Sequence, residues 1–422
     1  MKPALSMPAA APPHAPPVWR RVQHWAVVVL AAVLPIGKFP AEATLVIGLL
    51  AWLAGMVVGR RRPTVFKNPL TWLLAAWFLV AACSMHNSSD LHASFRGLWK
   101  LLKYFSLYLL VLDTVDSPAA LRRVLVGMAT GLLVVVGDGC WQAVFGQDLI
   151  YRRALAYTFV TVSRVTATFD HPDNLAIYLV SVAPIMLALG LRGERRWRRP
   201  LLALVGVTAI VLALSRTRVG LLGLLGALLM LSCWLRHWVP AALAGARAVL
   251  QLFITPAAVR AWAATQPTLL HWLTEPERLM YWQAALNMIQ AHPVIGVGVN
   301  TFVKAYPAFR TAGDHFDTIG PYAHNQYLQL TAELGLVGLA VFLLVLARVF
   351  AALQRQLASR QHRPFEAAVS AGIGSGFVGY LITGGLESSF YYLRGSLTFW
   401  LLVGLLMAVE GWSSHAAAPK PQ

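Results

Sequence analysis

A chain of 422 residues in which 58% are apolar and only 12% charged is not a soluble domain, where about a quarter of residues carry charge. Its net charge of +18 does not call for nucleic acid, because Lys and Arg collect on the cytoplasmic side of membrane proteins. Cys83, Cys140 and Cys233 lie in or beside apolar segments without ligand spacing, which argues against a disulfide framework and a zinc site.

The start, "MKPALSMPAAAPPHAPP", lacks the apolar core of a signal peptide and reads as a disordered cytoplasmic tail over 1–21. A membrane-crossing helix needs about 20 apolar residues, fewer where other helices bury it. About twelve spans are expected on that basis, at 22–40, 42–59, 69–85, 97–112, 121–139, 174–191, 200–214, 219–235, 238–257, 325–347, 366–386 and 393–411. They make one transmembrane domain over 22–411, followed by a second cytoplasmic tail at 412–422. With the N-terminus inside, the inner loops carry "GRRRPTVFK", "LRGERRWRRP" and "RQLASRQHRP", as the positive-inside rule requires. The ninth span is the weakest, since Arg247 falls within it.

Two outer loops, about 140–173 and 260–322, exceed the roughly 15 residues beyond which loops are usually functional or disordered, and neither has a disordered composition. In the second, Thr274 and Glu277 form a candidate capping box and Pro276 suits a first helical turn. Leu279, Trp282, Leu286 and Ile289 then share one face at helical spacing. His292 and Pro293 end the helix, and the glycines of "GVG" make a tight turn. The expected fold is therefore an all-α polytopic membrane protein with a large helical periplasmic loop before the tenth span. The loop helix is expected to lie over the outer membrane face.

The outer side of a membrane protein is poor in positive charge, so its arginines are informative. They include Arg164 in "SRVTATFDHPDN", Arg216 and Arg218 in "LSRTRVGLLGL", and Arg278 in "PERLMYWQAA". Guanidinium groups grip phosphate oxygens bidentately and keep their charge. The tenth span opens on "PYAHNQYLQLTAELGLVGL", whose polar head must sit at a water interface or in a polar pocket. His324 there suits a general base near neutral pH. Asn325 stands beside it to orient it, and His315 is the alternative base. Plainer readings stand alongside: Arg218 as an anchor on lipid phosphate, Arg278 paired with Glu275 or Asp314, and His324 as a satisfied helix-terminal residue.

Four stretches in order resemble the signatures of the O-antigen ligase / O-antigen polymerase-like superfamily. They are "RVTATFDHPDNLAIYLVSVAPI", "LSRTRVGLLGL", "ERLMYWQAALNMIQAHPVIGVGVNTF" and "HNQYLQLTAELGLVGL", within about 160–350. The resemblance implies a GT-C-like, metal-independent glycosyltransferase with no cofactor. Its donor would be a glycan on undecaprenyl pyrophosphate and its acceptor a lipid A-core hydroxyl, at the periplasmic face of the bacterial inner membrane. By motif, the family's functional arginines fall on Arg218 and Arg278 and its histidine on His324. The family has a Ser-Arg-Gly-like turn where this chain reads "SRTRVG", so Arg216 and Arg218 both stay in play. The early outer loop "MHNSSDLHASFRG" offers only Asp90 as an acid, which leaves the arginines to do the work of a divalent metal.

Within the same chemistry the rivals are an O-antigen polymerase and a protein O-oligosaccharyltransferase. From another class comes a transporter of anionic or lipid-linked sugars, which predicts broken helices and charges near the midplane. Clustering of charge at one face favours an interfacial enzyme.

Overall fold

In the computed structural model the described residues are 17–60, 63–157, 163–235, 276–311, 322–358 and 364–415, with three isolated positions between 236 and 275. The first pair of helices, α1 (Val18–Val33) and α2 (Lys38–Val57), pack against each other. The chain turns at 34–37, earlier than the hydropathy suggests. Pro35, which cannot donate a helical hydrogen bond, lies in that turn.

Side-chain caps set the next starts. Asn68 accepts the N–H of Leu70 at α3 (Pro69–Ser84), Asp90 that of Ala93 at α4 (Leu91–Thr114), and Ser117 that of Ala120 at α5 (Pro118–Phe145). Each satisfies a donor that the first helical turn leaves unpaired. Gly146, at φ +78°, stops α5 in the left-handed conformation that glycine adopts without a Cβ clash. A two-residue antiparallel pair, β1 (Ala156–Tyr157) with β2 (Ser163–Arg164), leads into α6 (Pro172–Arg192), α7 (Arg195–Ser215) and α8 (Arg218–Leu235). Then follow α9 (Pro276–Ala291), α10 (Phe302–Phe309), α11 (Gln326–Ala358), α12 (Pro364–Thr383) and α13 (Leu393–His415).

Among the described residues, nine helices are long and apolar enough to cross a membrane: α2, α3 with the 3-10 turn that carries it on to Asn87, α5, α6, α7, α8, α11, α12 and α13. This is an all-α, polytopic membrane protein. Of the remaining expected spans, the first meets α1, which has only 16 residues. The fourth meets α4, which carries Arg96, Lys100 and Lys103. The ninth, 238–257, lies outside the described residues apart from Gly245 and Arg247, as do both tails apart from a few positions. The helices α6, α12 and α13 are buried around most of their surface and form the centre of the bundle, with α8 packed on α6 and α12.

One end of the bundle is tied together by contacts between connections distant in sequence. Buried Arg394 donates to the carbonyls of Pro35 and Thr168, each at 3.0 Å, and lies 4.0 Å over the Phe169 ring. Asn87 donates to the Gly296 carbonyl, and Arg164 to that of Ser215. The opposite end is closed by Arg20 with Asp116, Arg122 with Glu194, and Arg355 with Glu410.

The apolar run of α11 hides a break. Gly335 has φ +68° and ψ −175°, and the peptide around it leaves the helix. The segment after α9 fills the gap as an extended strand would. Val297 and Gly298 donate to the carbonyls of Ala332 and Glu333, and Leu336 and Val337 donate to those of Pro293 and Val294. Backbone groups freed at membrane depth need such partners. A Cβ on Gly335 would meet the Val294 carbonyl oxygen at 2.1 Å, so only glycine fits.

The α9 helix begins at Pro276 as expected, but its buried face is one residue out of step with the large apolar side chains. Arg278, Tyr281, Ala284, Ala285 and Met288 are buried, packing on α10 and the α11 entry, while Leu286 is exposed. Small alanines let α9 approach closely there. The bulkier stripe of Leu279, Trp282 and Leu286 is left outside or half-buried.

Candidate active site

The polar head of α11 answers a packing requirement. Gln326, Gln329 and Glu333 recur at helical spacing on one face, and that face receives the connection 384–392 between α12 and α13. The Gln326 N–H donates to the Gly384 carbonyl at 2.7 Å, and the Phe390 N–H donates to Gln326 Oε1 at 3.1 Å. The Ser388 hydroxyl donates to Gln329 Oε1 at 2.6 Å, and the Tyr391 phenol to Glu333 Oε2 at 2.5 Å. The connection is thus fixed along two turns of α11, and in its middle it carries Glu387.

Glu387 gathers the site. Its side chain is 4% exposed, and Oε1 accepts from Arg278 Nη2 at 2.8 Å. Arg278 Nη1 donates to the neighbouring Leu386 carbonyl at 2.6 Å. Arg278 therefore pairs with Glu387; Glu275 and Asp314, the partners considered from the sequence, lie outside the described residues. On the other side, His324 Nδ1 lies 3.1 Å from Glu387 Oε2 and 3.3 Å from Oε1. A carboxylate partner makes Nδ1 the protonated nitrogen, so Nε2 presents a lone pair.

The backbone at His324 has φ +45°, a conformation a non-glycine residue enters at a cost and one that collects at functional sites. The Tyr281 ring stacks on the imidazole at an interplanar angle of 29°, centroids 6.0 Å apart. Asn325 does not orient His324: its Oδ1 accepts the N–H groups of Tyr327 and Leu328 and caps α11. Glu387 and Tyr281 do the orienting.

A second ion pair faces this one. Arg164 Nη2 lies 3.1 Å from Asp173 Oδ1, and Arg164 Nε donates to the Ser215 carbonyl at 3.1 Å. That bond brings Arg164 to the turn between α7 and α8. Arg216 there is left-handed at φ +49°, Thr217 caps α8 through Gly220, and Arg218 opens it. Asp173 lies within electrostatic reach of Arg164, His171, Arg278 and His324 alike. Of the expected site residues, Arg164, Arg278 and His324 thus converge on one end, and the Arg216–Arg218 turn joins them through Ser215. His315 lies outside the described residues.

Two phenols complete the wall, with the Tyr322 and Tyr392 rings 6.4 Å apart. Burial pushes the Tyr392 phenol up, and the Glu387 charge acts the same way. Burial also raises Tyr322, with Glu333 adding to the effect. Both remain neutral O–H donors at neutral pH. Asp90 caps α4, and among the described residues no three of His, Cys, Asp and Glu converge on a point that could hold a metal ion.

Glu387 and Asp173 escaped the sequence reading. Their signal was available: an acid in an otherwise apolar chain is functional more often than not.

Residues 201–343 match the family model described as O-antigen ligase. This stretch is similar to the O-antigen ligase family. It holds Arg216, Arg218, Arg278 and His324, while Arg164, Asp173 and Glu387 come from outside it. The chain is also similar to putative polysaccharide ligases of Rickettsia. That of Rickettsia conorii (strain ATCC VR-613 / Malish 7) is 27% identical over 152 residues, which is 35% of this chain and 34% of the relative. That of Rickettsia prowazekii (strain Madrid E) is 29% identical over 152 residues, 35% of this chain and 32% of the relative. The match spans about a third of the length of these curated relatives.

Proposed function

We propose that this protein transfers a polysaccharide from undecaprenyl pyrophosphate to a sugar hydroxyl of a lipid A-core acceptor. The reaction takes place at the periplasmic face of the bacterial inner membrane, in a GT-C-type, metal-independent manner. The observation that carries the reading is Glu387 bridging Arg278 and His324, with the Arg164–Asp173 pair opposite. A fixed base thereby stands beside fixed cations at one end of a membrane bundle.

In this reading His324 Nε2 takes the proton of the acceptor hydroxyl as its oxygen attacks the anomeric carbon. The bond from that carbon to the pyrophosphate oxygen breaks, and the pyrophosphate lipid leaves with the electron pair. Arg278, together with Arg218 or Arg216, stabilises the charge that develops on the leaving oxygen. Glu387 holds His324 in the productive tautomer and stabilises the imidazolium that forms, as the carboxylate of a catalytic triad does. Arg164 is kept near the donor by Asp173.

A transporter would use helix breaks and charges near the midplane. The break in α11 lies at Gly335, nine residues from the start of a 33-residue helix, and protein backbone fills it. That location supports the enzyme. In cells, deletion should remove the polymer ladder from lipopolysaccharide, leave core-lipid A intact and accumulate lipid-linked polymer. A single-repeat product would instead indicate a polymerase. With purified protein, transfer from a lipid pyrophosphate-linked glycan to lipid A-core should proceed in chelator; dependence on added magnesium or manganese contradicts the metal-independent step.

A further inference from the structure

Glu387 faces the arginines and His324, but Tyr391, four residues on, faces a different space. A half-open cavity, with an empty volume of about 590 Å³ including its mouth, is lined by Trp77, Lys100, Tyr104, Gln326, Glu333 and Tyr391, among others. Its hydrogen-bonding groups are unbalanced towards donors. Lys100 Nζ uses one N–H on Asn300 Oδ1 at 3.0 Å, and among the described residues it has no carboxylate at ion-pair distance. Trp77 and Gln326 are 3% and 0% exposed, and Trp77 Nε1 and Gln326 Nε2 have no hydrogen-bond partner among the described residues.

The acceptors are already engaged. Gln326 Oε1 receives the Phe390 N–H, and the Glu333 carboxylate receives Asn300 N–H, Phe302 N–H and the Tyr391 phenol. A buried donor left unpaired is costly, so the ligand that suits this cavity accepts hydrogen bonds without donating them. Arg96 lies a turn before Lys100 on α4 and adds positive potential, while Lys103, a turn after it, is paired with Glu42. A phosphate fits the unpaired donors better than a sugar hydroxyl does, with the Glu333 carboxylate on the cavity wall already taken up by Asn300, Phe302 and Tyr391.

The outward side of α4 indicates what the phosphate is attached to. Phe95, Trp99 and Leu102 are exposed there, as on a helix that meets acyl chains. Lys100 reaches towards Asn300 in the connection at the His324 end, the behaviour of a lysine snorkelling from the apolar layer.

We infer that this cavity holds a phosphate of the phosphorylated lipid acceptor, on the opposite side of 384–392 from the donor pyrophosphate; the inference rests on the transfer reading above. The two lipids then flank one short segment, with Tyr391 touching the acceptor pocket and Glu387 the catalytic histidine.

The test uses the full chain in phosphatidylcholine nanodiscs, with lipid A, dephosphorylated lipid A, phosphatidic acid and the pyrophosphate-linked donor as separate probes. Lys100→Met should weaken lipid A binding about 10- to 100-fold, the range for losing a charge-assisted contact. It should leave dephosphorylated lipid A and donor bound as in the wild type. Trp77→Phe, which keeps the ring and removes the N–H, should cost about tenfold in lipid A binding. Lys100→Arg should recover part of the affinity, and melting temperature checks that each variant is folded. Lys100→Met binding lipid A at wild-type strength, or phosphatidic acid binding as tightly as lipid A, overturns the proposal. A wild type that binds lipid A through Lys100 yet transfers nothing to it contradicts the transfer reading instead.

Discussion

At the end of the bundle opposite His324, Arg355 and Glu410 meet with side chains 58% and 17% exposed, and Arg122 and Glu194 with 49% and 41%. At the His324 end, Arg278 and Glu387 are 10% and 4% exposed, and the carboxylate serves two partners at once. Exposed pairs trade water for each other at little net gain, about 0–1 kcal/mol. A buried pair is costly to assemble, and removing one partner strands the other charge. A chain that maintains such a pair at one end of a membrane bundle uses it for more than stability. In the proposed reaction the pair fixes the direction of an imidazole and holds a guanidinium in place beside the incoming lipid-borne anion.

The first way to break this comparison is His324→Ala. It should reduce transfer by about 10²–10⁴-fold, the usual contribution of a general base, while donor binding is retained because a base acts in the transition state. Donor affinity that falls in step with turnover would make His324 a phosphate ligand. The wild-type pH profile separates the same two roles. Protonation removes the base, so kcat/KM should decline towards acid pH; a profile that rises towards acid would indicate a charged, phosphate-binding histidine.

Alanine at Arg216 and at Arg218 should next show which one meets the donor. Loss of a charge-assisted contact is worth about 1.5–3 kcal/mol, or roughly 10- to 150-fold in kcat/KM. Lysine should rescue it only in part because the guanidinium fork is lost. Equal damage at both positions would mean that the turn acts as a unit.

Stability sharpens the contrast. Arg278→Ala leaves Glu387 buried beside a histidine alone and should cost about 3–5 kcal/mol. Arg122→Ala at the other end should cost no more than about 1 kcal/mol. Chemical denaturation in matched detergent compares the two, and similar losses would remove the distinction between the ends.

Much of the architecture was legible because apolar runs of span length are hard to mistake; the caps at Asn68, Asp90 and Ser117 emerged only in the structure. Arg278 and His324 were legible as polar groups where lipid makes them costly. Glu387 was not, since it meets His324 across 63 positions and Arg278 across 109, and no local spacing encodes such contacts. Asn325 looked like the partner of His324 because it is adjacent in sequence, yet helix capping claims its oxygen. The break at Gly335 was hidden by an apolar run that continues through it. The buried face of α9 was missed because close packing is carried by Ala284 and Ala285, which weigh little in any hydropathy pattern.

The central claim, that Glu387 acts through His324, is tested most directly by a double-mutant cycle on transfer rate with purified protein, using His324→Ala, Glu387→Gln and the pair. Residues that work as a unit are strongly non-additive. The double variant should transfer no more slowly than His324→Ala alone. A double variant slowed by the product of the two single effects would show that Glu387 acts independently of His324, and would contradict the account.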